Sequence, residues 1–311
     1  MKKQSLLLII SILLFTMCSN KKENIVSFGI ISDVHEDLQK DAIPRLQTFL
    51  DEATKQNPDF IIQLGDLCHS KGADKILPVW NSYKGEKYSM LGNHDMDNAT
   101  KEEMVKRYNM PASYYYFDKG RVRFIVLDCE FTRKDGQIID YNKGNYYVAN
   151  ADRDLISEEQ LIWMKDVIMS SSTPCVIFSH QAMDEIGGSV PNRDAFREIL
   201  REVNKDKKRV IASVCGHHHI DALSEIDEVA YLHINSASYL WVSGDKKYSN
   251  GNMAEYQDPV YAFITIDLDN RIISVKGTQS KFIEPAPVVD DFNPEKFQYI
   301  NAGITSREIP F

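Results

Sequence analysis

The first half of the chain alternates short, continuous apolar runs with amphipathic stretches. Continuous apolar runs of this length are typical of strands buried on both faces, and apolar positions three and four apart predict helices. The pattern predicts strands at residues 26–32, 60–64 and 87–91, with helices after Asp41 and at residues 76–83 between them. Strands and helices in this order predict an α/β fold with a largely parallel sheet.

In the second half, strand-like runs follow one another with fewer helices between them. The predicted strands are 113–117, 122–127, 174–178, 210–214, 229–234, 260–266 and 271–276, with helices at 157–169 and 192–204. Ser157 and Gln160 have the spacing of a capping box at a helix start. Residues 130–154 predict a polar loop, and the last strands predict a second, more antiparallel sheet.

No linker-like segment divides the chain, so one domain is predicted over residues 25–280. Residues 281–311 contain Pro285, Pro287 and Pro294 and have little periodicity. We therefore expect this last segment to be an extension that wraps the surface of the domain.

The N-terminus has the pattern of a targeting segment. Lys2 and Lys3 precede an apolar stretch, residues 6–17, which is too short to span a bilayer and is typical of a signal peptide. The stretch ends at Cys18, and the polar residues that follow make the segment resemble a bacterial lipoprotein leader. Residues 1–18 therefore predict a signal peptide and export, with a lipid anchor at Cys18 on the periplasmic or extracellular face of a membrane. Ordinary secretion, with cleavage elsewhere, is the alternative.

Charge and cysteine content narrow the possible partners. The 311-residue chain has a formal charge of −9 and no Lys/Arg-rich run. This argues against a nucleic-acid partner held by a broad basic face.

The cysteines beyond the leader each lie within or just after an apolar run, which favours free buried thiols over disulfides. They are Cys68, Cys129, Cys175 and Cys215.

Five polar motifs each follow an apolar run. They are Asp33-Val34-His35, Gly65-Asp66-Leu67-Cys68-His69, Gly92-Asn93-His94-Asp95, Ser179-His180 and Gly216-His217-His218-His219. Such residues are rarely buried unless they are paired or bind a metal, and α/β sheets place their ligands at strand ends. Asp33 and His35 are two residues apart, as are His217 and His219, so each pair would share a face of an extended segment. The motifs therefore predict a metal site.

This ordered set of motifs, over residues 33–219, resembles the calcineurin-like metallophosphoesterase superfamily. The segment from Ser157 to Trp163 also resembles a helix start that recurs in that family. The resemblance implies an α/β fold of four layers, in which two packed mixed β-sheets are flanked by helices in an αββα sandwich.

The resemblance also implies two metal ions. It assigns Asp33, His35 and His219 to the first ion and Asn93, His180 and His217 to the second, with Asp66 bridging them. Paired metals about 3.5–4 Å apart suit in-line phosphoryl displacement by a metal-bound hydroxide. Mixed histidine, carboxylate and amide ligands fit Mn, Fe or Zn.

His94 is the candidate general acid. Its place in the family is near the phosphate, and we expect Asp95 to hydrogen-bond the imidazole and raise its pKa. The alternative is that His94 only binds a phosphate oxygen. For the other polar residues we favour supporting roles. We expect His69 to contact the metal ligands or to be structural, His218 to pack or form a hydrogen bond, His233 to lie in the core, and Asp97 to cap a loop.

Aromatic side chains near the motifs are candidates for a substrate rim, although core packing is their commoner use. They are Tyr146, Tyr147, Tyr239 and Trp241. The function predicted is hydrolysis of a phosphomonoester, phosphodiester or pyrophosphate bond in a small substrate. The alternatives are a nuclease of similar core and a non-catalytic binding or scaffold relative. The sequence indicates neither the substrate nor the oligomeric state.

Overall fold

The computed structural model describes residues 23–68, 73–186, 190–242, 248, 251–288 and 298–311. The predicted signal peptide with Cys18, and the second-motif residue His69, lie outside this part of the chain. Within it, no helix has the length and apolar character needed to cross a membrane.

The described residues form strands and helices in the alternating order that the apolar runs predict. In chain order the strands are β1 (Ile25–Ile31), β2 (Phe60–Gln63), β3 (Lys87–Ser89), β4 (Tyr115–Lys119), β5 (Val122–Val126), β6 (Phe131–Lys134), β7 (Gln137–Asp140), β8 (Cys175–Ser179), β9 (Val210–Cys215), β10 (Ala222–Ile226), β11 (Val229–His233), β12 (Tyr239–Trp241), β13 (Met253–Glu255), β14 (Ala262–Asp267), β15 (Ile272–Gly277) and β16 (Arg307–Pro310). The α-helices are α1 (Ala42–Gln56), α2 (Ala73–Ser82), α3 (Lys101–Arg107), α4 (Glu158–Ser170) and α5 (Arg193–Asn204), and short 3₁₀ helices lie at Asn93–Met96 and Asn150–Asp152.

The first large sheet has the strand order β16-β15-β14-β1-β2-β3. Strands β1, β2 and β3 run parallel, as predicted, and the helices α1 and α2 connect them. Strand β14 pairs antiparallel with β1, and β15 and β16 continue the antiparallel half. The sheet is therefore mixed, with its parallel half built from the N-terminal part of the chain.

The second large sheet has the order β10-β11-β9-β8-β5-β4. Its four central strands β11, β9, β8 and β5 are parallel neighbours, and only the edge strands β10 and β4 are antiparallel. The prediction of a more antiparallel second sheet is wrong in this respect. The strands predicted at 260–266 and 271–276 belong to the first sheet instead, where β14 pairs antiparallel with β1 and β15 pairs antiparallel with β14. Antiparallel neighbours of this kind need no crossover helix between them.

The two sheets pack face to face through aromatic side chains. Phe28 and Phe60 of the first sheet stack with ring centroids 4.9 Å apart, and Phe28 meets Phe124 and Phe178 of the second sheet edge-on at 5.6 Å and 5.9 Å. A second apolar core joins the second sheet to helices α4 and α5. The predicted αββα sandwich of two mixed sheets is confirmed.

Local features differ from the predictions at several points. Residues 130–154 are not a plain loop, because β6 and β7 form a hairpin within them. Only half of the predicted capping box forms: Ser157 accepts a hydrogen bond from the Gln160 amide, but the Gln160 side chain bonds the backbone of Asp128. In the C-terminal segment, β16 is the edge strand of the first sheet and Ile304 is fully buried.

The four cysteines in the described part of the chain are free, buried thiols, as predicted.

Candidate metal centre

The five polar motifs meet at one edge of the sandwich. They follow β1, β2 and β3 in one sheet and β8 and β9 in the other, all of them parallel strands whose carboxyl ends lie together. Backbone hydrogen bonds join the turns: the Asp33 amide donates to Gly65, the His35 amide to Asp66 and the Gly216 amide to His180, at 3.0–3.2 Å. The site is therefore built between the two sheets, where neither sheet alone would form it.

Left-handed backbone conformations occur at most of the predicted ligands. The residues concerned are Asp33, His35, Asp66, His217 and His219, with φ between 50° and 64°. The assumption that these segments are extended is therefore wrong. Asp and His adopt this conformation more readily than most residues, but at some energetic cost, and such strain is typical of functional sites.

Gly65 and Gly92 let the second and third motifs approach each other closely. Gly65 has a φ of +93°, and a β-carbon on it would lie 2.6 Å from the Gly92 nitrogen and from Nδ1 of His180. Any larger residue at position 65 would push the two turns apart. The glycines of these motifs therefore bring Asp66 and His180 together.

Asp33, His35 and His219 form the first cluster. One ligand atom from each lies within 4.8 Å of the other two, and all three side chains are buried. Oδ1 of Asp33 lies 3.2 Å from Nε2 of His219. The other carboxylate oxygen, Oδ2, accepts hydrogen bonds from the Ser32 hydroxyl and the His217 amide. These bonds orient Oδ1 toward the histidines.

Asp66, His180 and His217 form the second cluster by the same measure. Oδ2 of Asp66 lies 3.1 Å from Nε2 of His180 and 3.7 Å from Nε2 of His35 in the first cluster. This carboxylate oxygen thus lies between the two groups. That Asp66 bridges two ions stays a prediction.

Two of the histidines have their proton positions determined by backbone carbonyls. Nδ1 of His180 lies 2.6 Å from the Leu64 oxygen, and Nδ1 of His219 lies 2.8 Å from the Tyr239 oxygen. A carbonyl oxygen can only accept, so both Nδ1 atoms carry hydrogen, and in the neutral ring that binds a metal each Nε2 atom would direct its lone pair toward the clusters. This arrangement is typical of histidine ligands of metals.

Unsatisfied polar atoms test whether a metal fits. The Asn93 side chain is 1 % exposed, yet neither its oxygen nor its nitrogen has a hydrogen-bond partner among the described residues. Oδ1 of Asp33 is also buried and also has no hydrogen-bond partner among the described residues. Buried polar groups without partners are costly, and a cation would satisfy both oxygens. The donor set of histidine nitrogen, carboxylate and amide oxygen therefore fits two transition-metal ions.

Ionisation at the site also favours cations. Burial would raise the pKa of Asp33, but His219 outweighs burial and lowers that pKa to about 2. Burial lowers the pKa of His35 to about 3 and that of His217 well below its usual value. For His180 the negative charge of Asp66 outweighs burial and raises the pKa well above its usual value. The Asp66–His180 gap therefore attracts positive charge, and Asp33, His35 and His217 are in the ionisation states that metals bind.

His94 pairs with Asp97 rather than with Asp95. Nδ1 of His94 lies 2.9 Å from Oδ2 of Asp97. Burial lowers the pKa of His94, but the charges of Asp66 and Asp97 outweigh burial and raise it to about 9. The predicted Asp95 partner is wrong. Asp97 has the predicted capping position, because its amide donates to the His94 carbonyl at the end of the 3₁₀ helix, and its carboxylate also orients the His94 ring.

Asp95 is a buried residue beneath the site, and its carboxylate forms a hydrogen-bonded brace, which consists of its contacts with Asp66, Gly92 and Tyr108. Its carboxylate accepts hydrogen bonds from the amides of Asp66 and Gly92 at 3.1 Å and 2.9 Å, and from the Tyr108 hydroxyl at 2.6 Å. Burial, and the charge of Asp66 after it, raise its pKa to about 7. Asp95 therefore positions the turns that carry Asp66 and Asn93 and does not reach a substrate.

The remaining histidines have the structural places predicted for them. Nε2 of His233 lies 3.0 Å from Oδ1 of the buried Asp184, and the His218 ring packs between His217 and His233. The role predicted for His69 falls outside the described residues.

A comparison with protein-family models matches residues 26–221 to the calcineurin-like phosphoesterase model. The chain belongs to the calcineurin-like phosphoesterase family. The predicted family and the enzyme class, a metal-dependent phosphoric ester hydrolase, are thereby confirmed.

This phosphoesterase is 26 % identical over 260 residues to a rice protein described as a manganese-dependent ADP-ribose/CDP-alcohol diphosphatase. The alignment covers 65 % of this chain and 79 % of the rice protein. In fold it is similar to a dimetal phosphatase from Danio rerio, with a TM-score of 0.59, 15 % identity and coverage of 83 % and 98 % of the two chains. It is also similar to GAP50, an anchor in the inner membrane complex of Plasmodium, with a TM-score of 0.53, 14 % identity and coverage of 90 % and 96 %.

In this phosphoesterase, the segment after β7 places two further residues near the site. The sequence pattern indicates Tyr146 only as a candidate rim residue and does not identify Arg153. Tyr146 packs with its ring 5.9 Å from that of His94, and Arg153 lies on the Tyr146 ring. Glu130, which directly precedes β6, is also fully buried, and neither of its carboxylate oxygens has a hydrogen-bond partner among the described residues. Trp241 in β12 packs near His219, with ring centroids 6.4 Å apart. Arg153 carried no motif, because its position depends on the fold.

Proposed function

We propose that this phosphoesterase is a dimetal hydrolase that cleaves the pyrophosphate bond of a small diphosphate-linked substrate. The observation that carries the proposal is the position of Asp66, whose Oδ2 lies between the cluster of Asp33, His35 and His219 and the cluster that contains His180 and His217. We propose these residues, together with Asn93, as the ligands of two metal ions, with manganese first among Mn, Fe and Zn.

Two bound ions would polarise the phosphoryl oxygens and lower the pKa of a water molecule. With two carboxylates against two divalent ions, the site would carry a charge of about +2. A neutral Asn93 preserves that excess, which attracts a phosphate anion to an otherwise acidic protein. The ligand set itself therefore selects an anionic substrate.

The position of His94 supports the proposal that it is the proton donor. Its Nδ1 is held by Asp97 at 2.9 Å, so a proton given to a substrate comes from Nε2. The ring lies 5.5 Å from that of His35, at the partly exposed mouth of the first cluster. Donation to the leaving oxygen avoids release of an unprotonated oxyanion.

The choice of a pyrophosphate bond rests on the relative from rice, whose description names ADP-ribose and CDP-alcohols as diphosphatase substrates. Phosphomonoesters and phosphodiesters remain the other members of the predicted substrate class. A nuclease is disfavoured by the formal charge of −9. A scaffold role has a precedent in fold only, in the Plasmodium anchor. Against it stands the set of buried polar atoms that a cation would satisfy.

Metal analysis combined with a hydrolysis panel tests the proposal. The panel contains ADP-ribose, CDP-choline, a phosphomonoester, bis-p-nitrophenyl phosphate and single-stranded DNA, each with Mn-, Fe- and Zn-loaded protein. We expect about two metal ions per chain and fastest turnover of the diphosphates. Fewer than about one ion per chain with no hydrolysis would favour the scaffold alternative.

His217→Ala and His218→Ala form a matched pair, because the two residues are adjacent and only His217 belongs to a cluster. His217→Ala should lower metal content and abolish most turnover, whereas His218→Ala should change both much less. Equal metal content and activity in the two variants would contradict the assignment of His217.

We also propose that the protein is exported and anchored by a lipid on Cys18. The support is the sequence pattern of Lys2, Lys3 and the apolar stretch that ends at Cys18. Cys18→Ala should move the full-length chain from the membrane fraction to the soluble fraction of cells. Continued membrane attachment of that variant would contradict lipidation.

A further inference from the structure

The segment from Tyr141 to Arg153 lies directly against the 3₁₀ helix that carries His94. The Gly144 amide donates to the Met96 carbonyl at 3.1 Å, and the Tyr147 hydroxyl donates to Oδ2 of Asp97 at 3.2 Å. The segment is therefore bound to the same carboxylate that orients the proton donor.

Arg153 is the cation that this segment places near His94. Its Cζ atom lies 4.4 Å from the centre of the Tyr146 ring, and that ring lies 5.9 Å from the ring of His94. Its backbone pairs with Thr132, which holds the base of the side chain in place. About a quarter of the side chain is exposed, at 23 %. An arginine fixed on an aromatic ring has little rotamer freedom left to lose on binding an anion.

The charge of Arg153 is only partly neutralised within the protein. Its Nε is buried, lies 3.6 Å from Oδ2 of Asp154, which is too far for a hydrogen bond, and has no hydrogen-bond partner among the described residues, while 23 % of the side chain is exposed. Asp154 also accepts hydrogen bonds from Tyr141 and Gln181 through its other oxygen. The guanidinium therefore retains the capacity to bind a second anion.

Arg153 lies near His94, which is on the leaving-group side of the metal centre. A proton donor must lie within hydrogen-bond reach of the leaving oxygen, so the His94 side of the centre is the leaving-group side. In a simple phosphodiester the negative charge is on the attacked phosphate, which the metal clusters face. In a diphosphate a second charge is on the neighbouring phosphate, and that charge needs a separate partner.

We infer that Arg153 binds the leaving phosphate of a diphosphate substrate, an inference that rests on the proposed function. The oxygen of water forms a bond to the attacked phosphorus, and the bond from that phosphorus to the bridging oxygen breaks. The electron pair stays on the bridging oxygen, which receives the proton of His94, and the proton of the attacking water passes to solvent. Arg153 holds the non-bridging oxygens of the departing phosphate monoester.

Steady-state kinetics on the full, manganese-loaded chain tests this role. Arg153→Met keeps much of the side-chain volume and removes the charge. We expect kcat/KM for ADP-ribose to fall about 10–100-fold, while kcat/KM for bis-p-nitrophenyl phosphate, which has no second phosphate, stays within about twofold. Arg153→Lys should lose less than Arg153→Met, because it keeps the charge and loses the bidentate geometry.

Arg133→Met is the matched control. Arg133 lies in β6, next to the Thr132 that pairs with Arg153, and its guanidinium contacts Asp152 and the Ala151 carbonyl. Arg133→Met should leave kcat/KM for both substrates unchanged. A second measurement is inhibition by AMP, a phosphate monoester, whose inhibition constant should rise in Arg153→Met and stay unchanged in Arg133→Met.

The outcomes separate the inference from the proposed function. Equal losses on both substrates, or no loss on ADP-ribose with unchanged AMP inhibition, would overturn the role of Arg153 and leave the diphosphatase proposal in place. Wild-type protein that cleaves the diester but no diphosphate would overturn the proposed function itself, whatever the variants do.

Discussion

Oδ2 of Asp97 accepts from both Nδ1 of His94 at 2.9 Å and the Tyr147 hydroxyl at 3.2 Å. His94 and Asp97 are three residues apart at the 3₁₀ helix Asn93–Met96. Because a 3₁₀ helix has about three residues per turn, side chains at i and i+3 lie on the same side. Asp95 is directed inward by the same geometry. The helix type therefore decides which carboxylate orients the proton donor.

His94→Ala should keep the metal content of the wild type and lose most turnover on substrates with poor leaving groups. General-acid catalysis is worth about 10²–10⁴ in rate, and His94 is outside both ligand clusters. The measurement is kcat for an alkyl phosphodiester beside kcat for bis-p-nitrophenyl phosphate, whose leaving group needs less help. Asp97→Asn should give a smaller loss with the same leaving-group dependence. Equal activity of His94→Ala and wild type on the alkyl diester would remove His94 from this role.

Asp95→Asn should lower both fold stability and metal affinity. The carboxylate accepts from Gly92, Asp66 and Tyr108, and an amide would place an N–H₂ group against one of these donors. We expect the free energy of unfolding to fall by about 1–3 kcal/mol, measured by urea titration. Tyr108→Phe is the control, because it removes one hydrogen bond and leaves the Asp66 turn in place. Wild-type stability and metal affinity in Asp95→Asn would show that this brace is dispensable.

Removal of metal should lower the thermal midpoint of unfolding. Ligands that bind only the folded state stabilise it, by about 2.7 kcal/mol when present at 100 times the dissociation constant. Without metal, the Asn93 amide and Oδ1 of Asp33 remain buried without hydrogen-bond partners among the described residues. Scanning calorimetry with and without chelator measures the effect, and His217→Ala should respond less than wild type. An unchanged midpoint in wild-type protein after chelation would contradict metal binding.

Asp184 should stabilise the fold at neutral pH and lose this contribution in acid. Burial raises its pKa, but the hydrogen bond from His233 and the charge of His233 outweigh burial, with help from Ser224, and the net pKa lies below its ordinary value of 3.8. The folded-state pKa is thus the lower one, so the stabilisation is present above the unfolded-state pKa and is lost as pH falls through the folded-state value.

Asp184→Asn should accordingly reduce the free energy of unfolding by about 1.5–3 kcal/mol near pH 7, and the difference from wild type should shrink as the pH falls below the ordinary pKa of 3.8. Denaturant titrations across this range measure it. A difference that stays constant with pH would mean that the carboxylate charge is not the stabilising element.

The strands and helices of the first half were predictable because their signals are local. Apolar runs at residues 26–32 and 60–64 lie within one or two residues of β1 and β2, and the loss of apolar character after each run marks where the polar motifs begin. The destination of residues 260–276 was not predictable, because an antiparallel strand has the same apolar pattern in either sheet. Its pairing with β1 is decided by long-range contacts.

The sequence by itself determined the identity of the candidate metal ligands. Short polar motifs of His, Asp and Asn after buried strands predict a cation site, because such residues are rarely buried without one or without a charged partner. The ordered motifs also resemble those of the calcineurin-like family, and that resemblance names the individual ligands. Tertiary structure alone decided that Asp97 orients His94, that Gln160 bonds Asp128 and that Arg153 lies on Tyr146 beside the leaving-group side. These contacts depend on the direction of each side chain and on the packing of segments that are distant in sequence. Their energies are set by interatomic distances, which only the folded structure defines.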